Sequence, residues 1–186
     1  FSWLGGSILS INFRGSGKPV RFGNAVEIYG GCDGYEVSNC WMYQIYDTGI
    51  THQYSGGSEG DNFQENIEYY GNLIEHVFWG IEVYNSPVSG TERKTSGVHI
   101  SHNVLRSGGD SWGSYVRFRE KSAPLYSVTS LSENSDELTE YNIFDRCEGY
   151  LINVDKSSKE TDDKNKYIQT IGNSLGNFKG IYRDCG

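Results

Sequence analysis

Three carboxylates stand out in this chain because each sits in a similar local setting. Asp47 lies in "YDTGITHQY" (46–54), Glu82 in "GIEVYN" (80–85) and Asp110 in "RSGGDSWG" (106–113). Two carboxyl groups at short range can divide the roles of acid and base, or of acid and nucleophile. Cleavage of a glycosidic bond asks for such a pair, separated by roughly 5 Å for retention or 6.5–9.5 Å for inversion. Around them fall His52, Gln53, Trp79, Tyr84, Trp112, Tyr115 and Arg117. Aromatic faces cover the apolar C–H face of a sugar ring, and carboxylates, amides and guanidinium groups satisfy its hydroxyls. The candidate catalytic groups are therefore Asp47, Glu82, Asp110 and His52. The candidate substrate contacts are Trp79, Trp112, Tyr84, Tyr115, Arg117 and Gln53. His52 falls at an inward strand position, so it either orients a carboxylate from beneath, through Asp47 or Thr48, or is a satisfied core histidine. The bland alternatives are a pairing of Glu82 with Arg117 across a sheet, and turn capping by Asp47 and by Asp110.

What positions these residues is a repeat. Five segments align on one polar residue: "YEVSNCWM" (35–42), "IEYYGNLI" (67–74), "VHISHNVL" (98–105), "ELTEYNIF" (137–144) and "IQTIGNSL" (168–175). The shared position holds Cys40, Asn72, Asn103, Asn142 and Asn173, spaced by 32, 31, 39 and 31 residues. Two residues later an apolar residue follows each time, and seven to ten residues later a Gly opens a new alternating run. Those runs are "GITHQY", "GIEVYN", "GSYVRF", "GYLINV" and "GIYRDC". The unit reads as strand, corner at the asparagine, short strand, turn, Gly, strand, variable loop.

The stretch 72–85, "NLIEHVFWGIEVYN", tests this reading, since its apolar residues also fit helical spacing. The four other segments decide for strands: Leu73 to Glu75, a turn at Val77 to Trp79, then Gly80 to Tyr84. Stacked units bury a continuous core that one unit cannot. Stacked asparagine amides then hydrogen-bond from unit to unit. Asn at one corner and Gly at the other would supply left-handed backbone. Outward residues of the Gly-opened strands form two columns: Glu27, Thr51, Glu82, Tyr115, Leu151 and Tyr182, then Tyr29, Gln53, Tyr84, Arg117 and Asn153. Loops are placed at 54–66, 85–97, 119–136 and 155–166.

Composition narrows the function classes. The 186 residues include 24 Gly and 14 Tyr but only 3 Pro and 1 Met, which favours strands. A formal charge of -8 argues against a nucleic-acid partner. No apolar run reaches the roughly 20 residues of a membrane span. Cys32, Cys40, Cys147 and Cys185 form no CxxC pair and read as free thiols; no zinc triad is visible.

The "xIxxxNxI…GIxV" unit resembles the right-handed parallel β-helix of the pectate-lyase-like superfamily, over about residues 25–186. The resemblance implies an all-β, single-stranded parallel β-helix of about six coils with an Asn ladder, forming one domain over 1–186. The sequence shows no amphipathic cap helix of the kind such solenoids usually need and stops just after a strand, so the expectation is part of a longer chain. It implies a bacterial, extracellular, cell-surface or periplasmic setting. The Gly-opened strands would form the sheet called PB1, where members of the superfamily hold ligands. The implied function is a glycoside hydrolase acting on an oligo- or polysaccharide, with no cofactor. The alternatives are a non-catalytic carbohydrate-binding or adhesin β-helix, and a polysaccharide lyase using Arg117, Arg119 or Lys121 with Ca²⁺.

Overall fold

The computed structural model describes residues 2–4, 23–54, 63–85, 94–111, 123–128, 137–154, 168–172, 174–176 and 180–184. All regular structure among them is strand; there is no helix, hence none long and apolar enough to cross a membrane. The strands are β1 (Ser2–Leu4), β2 (Val26–Tyr29), β3 (Cys32–Ser38), β4 (Trp41–Tyr43), β5 (Thr48–Tyr54) and β6 (Phe63–Tyr70). Then come β7 (Leu73–Glu75), β8 (Trp79–Asn85), β9 (Lys94–Ser101), β10 (Val104–Gly108), β11 (Ala123–Val128) and β12 (Glu137–Glu140). The last are β13 (Ile143–Cys147), β14 (Tyr150–Val154), β15 (Ile168–Ile171), β16 (Ser174–Leu175) and β17 (Gly180–Asp184).

They form three parallel sheets, and each strand pairs with the strand three places along the chain. The first sheet runs β1-β4-β7-β10-β13-β16, the second β2-β5-β8-β11-β14-β17, the third β3-β6-β9-β12-β15. The alternation that makes these segments strands also makes the core. Met42, Ile74, Leu105 and Phe144 stand in register on the first sheet and are buried. Ile50 and Ile81 on the second, with Val37, Tyr69 and Ile100 on the third, join them in one apolar cluster.

The aligned asparagines lie just before the first-sheet strands. Asn72 Nδ2 donates to Asn103 Oδ1 at 3.0 Å, and Asn103 Nδ2 to Asn142 Oδ1 at 3.0 Å. The same oxygens accept the backbone N–H of Asn72 and Asn103, and Asn72 Oδ1 accepts that of Cys40 at 3.0 Å. Each amide also donates to a third-sheet carbonyl: Val37, Tyr69 and Ile100. All three side chains are buried. Asn173 lies outside the described residues.

Left-handed backbone falls one residue earlier than the sequence suggests, at Asn39, Gly71, His102, Tyr141 and Gly172. A second such file has Gln44 and His76 just after β4 and β7, and Ser107 and Arg146 as the penultimate residues of β10 and β13. Gly49 has no positive φ; its role is close approach. A Cβ there would meet Ile74 Cγ2 at 2.6 Å and the Gly80 carbonyl oxygen at 2.7 Å.

The second sheet differs from expectation in two places. Its strand beside β8 is β11, within the stretch read as the 119–136 loop, and "GSYVRF" lies outside the described residues. The register sets Ser127 and Asn153, not Tyr115 and Leu151, in file with Glu82. The extra residues between Asn103 and Asn142 therefore precede the strand instead of following it. Further along, β14 begins eight residues after Asn142, where β8 begins seven after Asn72. Leu151 is buried in the core cluster. Cys32, Cys40 and Cys147 are free and half-buried; Cys185 lies outside the described residues.

Candidate functional site

On the second sheet, Glu27, Thr51 and Glu82 stand side by side in register on β2, β5 and β8. Their neighbours Ile28, Ile50, His52 and Ile81 are buried, which turns this column to the outer face. Its two carboxylates belong to one hydrogen-bonded chain. Asn24 Nδ2 donates to Glu27 Oε2 at 2.8 Å, and Asn24 Oδ1 accepts the Thr48 N–H at 3.1 Å. Thr48 Oγ1 donates to Glu82 Oε2 at 3.0 Å. Glu27 is exposed and Glu82 half-buried. Gln53 Nε2 donates to Thr51 Oγ1 at 3.0 Å, and Thr51 is itself covered. Two strand steps separate Glu27 from Glu82, about 9.6 Å between backbones.

The other candidates take varied places. Asp47 is half-buried in the turn feeding β5, where its carbonyl accepts the N–H groups of Phe78 and Trp79. Trp79 is buried, packed edge-on against Phe78 with ring centroids 4.5 Å apart. Tyr84 stands in register with Gln53. Trp112, Tyr115, Arg117, Arg119 and Lys121 lie outside the described residues.

His52 is fully buried, and its partner is Tyr69, not Asp47 or Thr48: Nδ1 lies 3.1 Å from the phenol oxygen, and Nε2 has no partner. Desolvation pushes its pKa down to about 3, so the ring stays neutral. It belongs to the core as a neutral polar group.

Asp110 is drawn to the first sheet. Its carboxylate lies 3.3 Å from His76 Nδ1, and its backbone carbonyl 3.2 Å from the same nitrogen. His76 follows β7 directly, so this pair adjoins a group of residues the sequence reading did not single out. Trp41 and Tyr43, Glu75, and Arg106 occupy outward positions of β4, β7 and β10, one and three residues after the aligned Cys or Asn. The signal was available: Met42, Ile74 and Leu105 alternate inward between them. Among the described residues no group of three or more His, Cys, Asp and Glu is placed to hold a metal.

No family model, curated protein or solved structure matches the chain.

Proposed function

We propose that the three sheets wind as a right-handed parallel β-helix with an asparagine ladder, and that its second-sheet outer face cleaves a neutral oligo- or polysaccharide as a glycoside hydrolase. The observation that carries the reading is the Glu27–Asn24–Thr48–Glu82 chain of hydrogen bonds, which holds two carboxylates on one face. Their backbone separation of about 9.6 Å lets flexible side chains come within the roughly 6.5–9.5 Å that inversion requires. One carboxyl group protonates the leaving oxygen and the other activates water. Asp47, next to Thr48, is the alternative partner for Glu82. The strand order, in which each strand pairs with the third one on, supports the helical winding. The amide file through Asn72, Asn103 and Asn142 supports the ladder. This reading carries with it an extracellular or cell-surface setting.

The test is release of reducing ends from a panel of neutral glycans. Glu82→Gln should lower turnover by about 10²–10⁴-fold with an unchanged circular dichroism spectrum, because Gln keeps the side chain's size and can still accept from Thr48 Oγ1. Glu27→Gln should do the same, and Asp47→Asn separates the two candidate partners. A Glu82→Gln protein with full turnover would sink the reading. Binding without turnover in the unaltered protein would leave a non-catalytic carbohydrate-binding β-helix.

A further inference from the structure

We infer that the outer face of the first sheet carries a second saccharide-binding site, built on Trp41, Tyr43, Glu75, His76, Arg106 and Asp110. This inference rests on the proposed action on neutral glycans, but uses another face of the molecule. Its centre is Glu75, a carboxylate only 5 % exposed. One oxygen accepts the Trp41 indole N–H at 2.9 Å; the other accepts Arg106 Nε. A buried carboxylate is costly unless its oxygens are bonded, and here both bonds hold groups that reach solvent. Trp41 is 43 % exposed. So the buried acid fixes an exposed indole and an exposed guanidinium beside one another, before any ligand arrives. Pre-organised aromatic surface of this kind binds without a large ordering cost.

The platform continues. Tyr43 lies 6.1 Å from Trp41, ring centroid to centroid, and meets the His76 ring edge-on at 5.2 Å. His76 has left-handed backbone, with φ of 54°, a conformation that non-glycine residues seldom adopt. Among the described residues its Nδ1 faces two acceptors, the carboxylate and the carbonyl of Asp110. Nδ1 therefore carries the proton, and in the neutral ring Nε2 is an acceptor. The site thus offers an aromatic surface, a guanidinium donor and an imidazole acceptor. A hydroxyl both donates and accepts, and a pyranose pairs hydroxyls with an apolar C–H face.

Charge selects the class of sugar. Glu75 neutralises Arg106, Asp110 adds a negative charge, and the chain carries -8 overall. That balance repels an acidic glycan and accommodates a neutral one.

The experiment follows the Trp41 indole N–H resonance, assigned through Trp41→Phe, in the ¹⁵N-labelled protein. Neutral hexasaccharides (β-1,4-linked glucose, mannose and xylose, and α-1,4-linked glucose) are titrated in, each also assayed for cleavage. At least one should shift the resonance saturably. Measured by titration calorimetry in the Glu82→Gln background, Trp41→Ala and His76→Ala should each weaken its binding at least tenfold, while Glu82→Gln alone leaves the Trp41 resonance shift unchanged. Glu75→Gln, which keeps the side chain's size, tests the anchoring and should weaken binding as well. Cleavage with no movement of the Trp41 resonance overturns this site and leaves the hydrolase reading standing. Saturable movement without cleavage upholds the site and overturns the hydrolase. Absence of both overturns both.

Discussion

At the scale of residues, polar groups inside the molecule differ in how fully they are satisfied. Asn103 bonds above, below and across, so Asn103→Leu removes one bond each from the Tyr69 carbonyl, the Asn72 N–H, the Asn72 amide and the Asn142 amide oxygen. It should cost roughly 1–3 kcal/mol, read by chemical denaturation; an unchanged midpoint would count against the shared network. His52 behaves differently because it is buried and neutral, with a pKa of about 3. In the unfolded chain a histidine titrates near 6.5. Below that pH the unfolded state takes up a proton that the folded state refuses, so stability falls as pH drops from about 6.5 towards 3. The slope approaches about 1.4 kcal/mol per pH unit from this group. His52→Phe should flatten the dependence between pH 6 and 4, whatever its stability at pH 7; an unaltered slope would refute the assignment. Asparagine at the repeat position was legible from the sequence. The residue that takes the left-handed backbone was not, because its side chain varies among Asn, Gly, His and Tyr, which show no common preference.

At the scale of elements, alternation locates strands well and orders them poorly. The stretch 72–85 resolves into β7 and β8 because four other segments repeat it. Glycine was read as a source of positive φ, yet Gly49 is required by the space beneath Ile74. Gly49→Ala should destabilise by roughly 1–3 kcal/mol, since one of its two close neighbours is backbone and cannot move aside; a neutral effect in thermal melts would contradict the packing. The strand beside β8 was the harder case. "GSYVRF" and "APLYSV" both alternate, and the 39-residue gap between Asn103 and Asn142 accommodates either. Only pairing with β8 and β14 chooses between them. Amide exchange should therefore be slow at Tyr126 to Val128, in the interior of a six-stranded sheet. Exchange at the rate of an open chain would return the strand to the earlier segment. The first-sheet cluster was missed for a related reason. Its residues sit on strands of three to five residues, too short for alternation to draw attention to the outward positions.

At the scale of the whole molecule, every described strand of the repeat is bonded to strands one repeat before or after it. Stability in such an array is close to a sum of units and their interfaces. The chain can then lose a unit without losing its fold, provided the cut preserves the register. Removing residues 72–102 joins Gly71 to Asn103, which occupies the same place in its own unit as Asn72. β10, β11 and β12 would then meet β4, β5 and β6, and the Cys40 N–H would find Asn103 Oδ1 in place of Asn72 Oδ1. On the inward side Leu105 takes the place of Ile74 opposite Met42, and the buried Thr139 takes the place of Ile100 opposite Tyr69. The shortened protein should keep its β-sheet circular dichroism and a cooperative transition. Its denaturant slope should fall by about one-sixth, in line with the 31 residues removed from 186. Because the excised segment carries Glu82, Glu75 and His76, the same protein should lose both glycan cleavage and the first-sheet binding site while remaining folded. A product without a cooperative transition would show that the units depend on one another beyond nearest neighbours, and that register alone does not hold the array together.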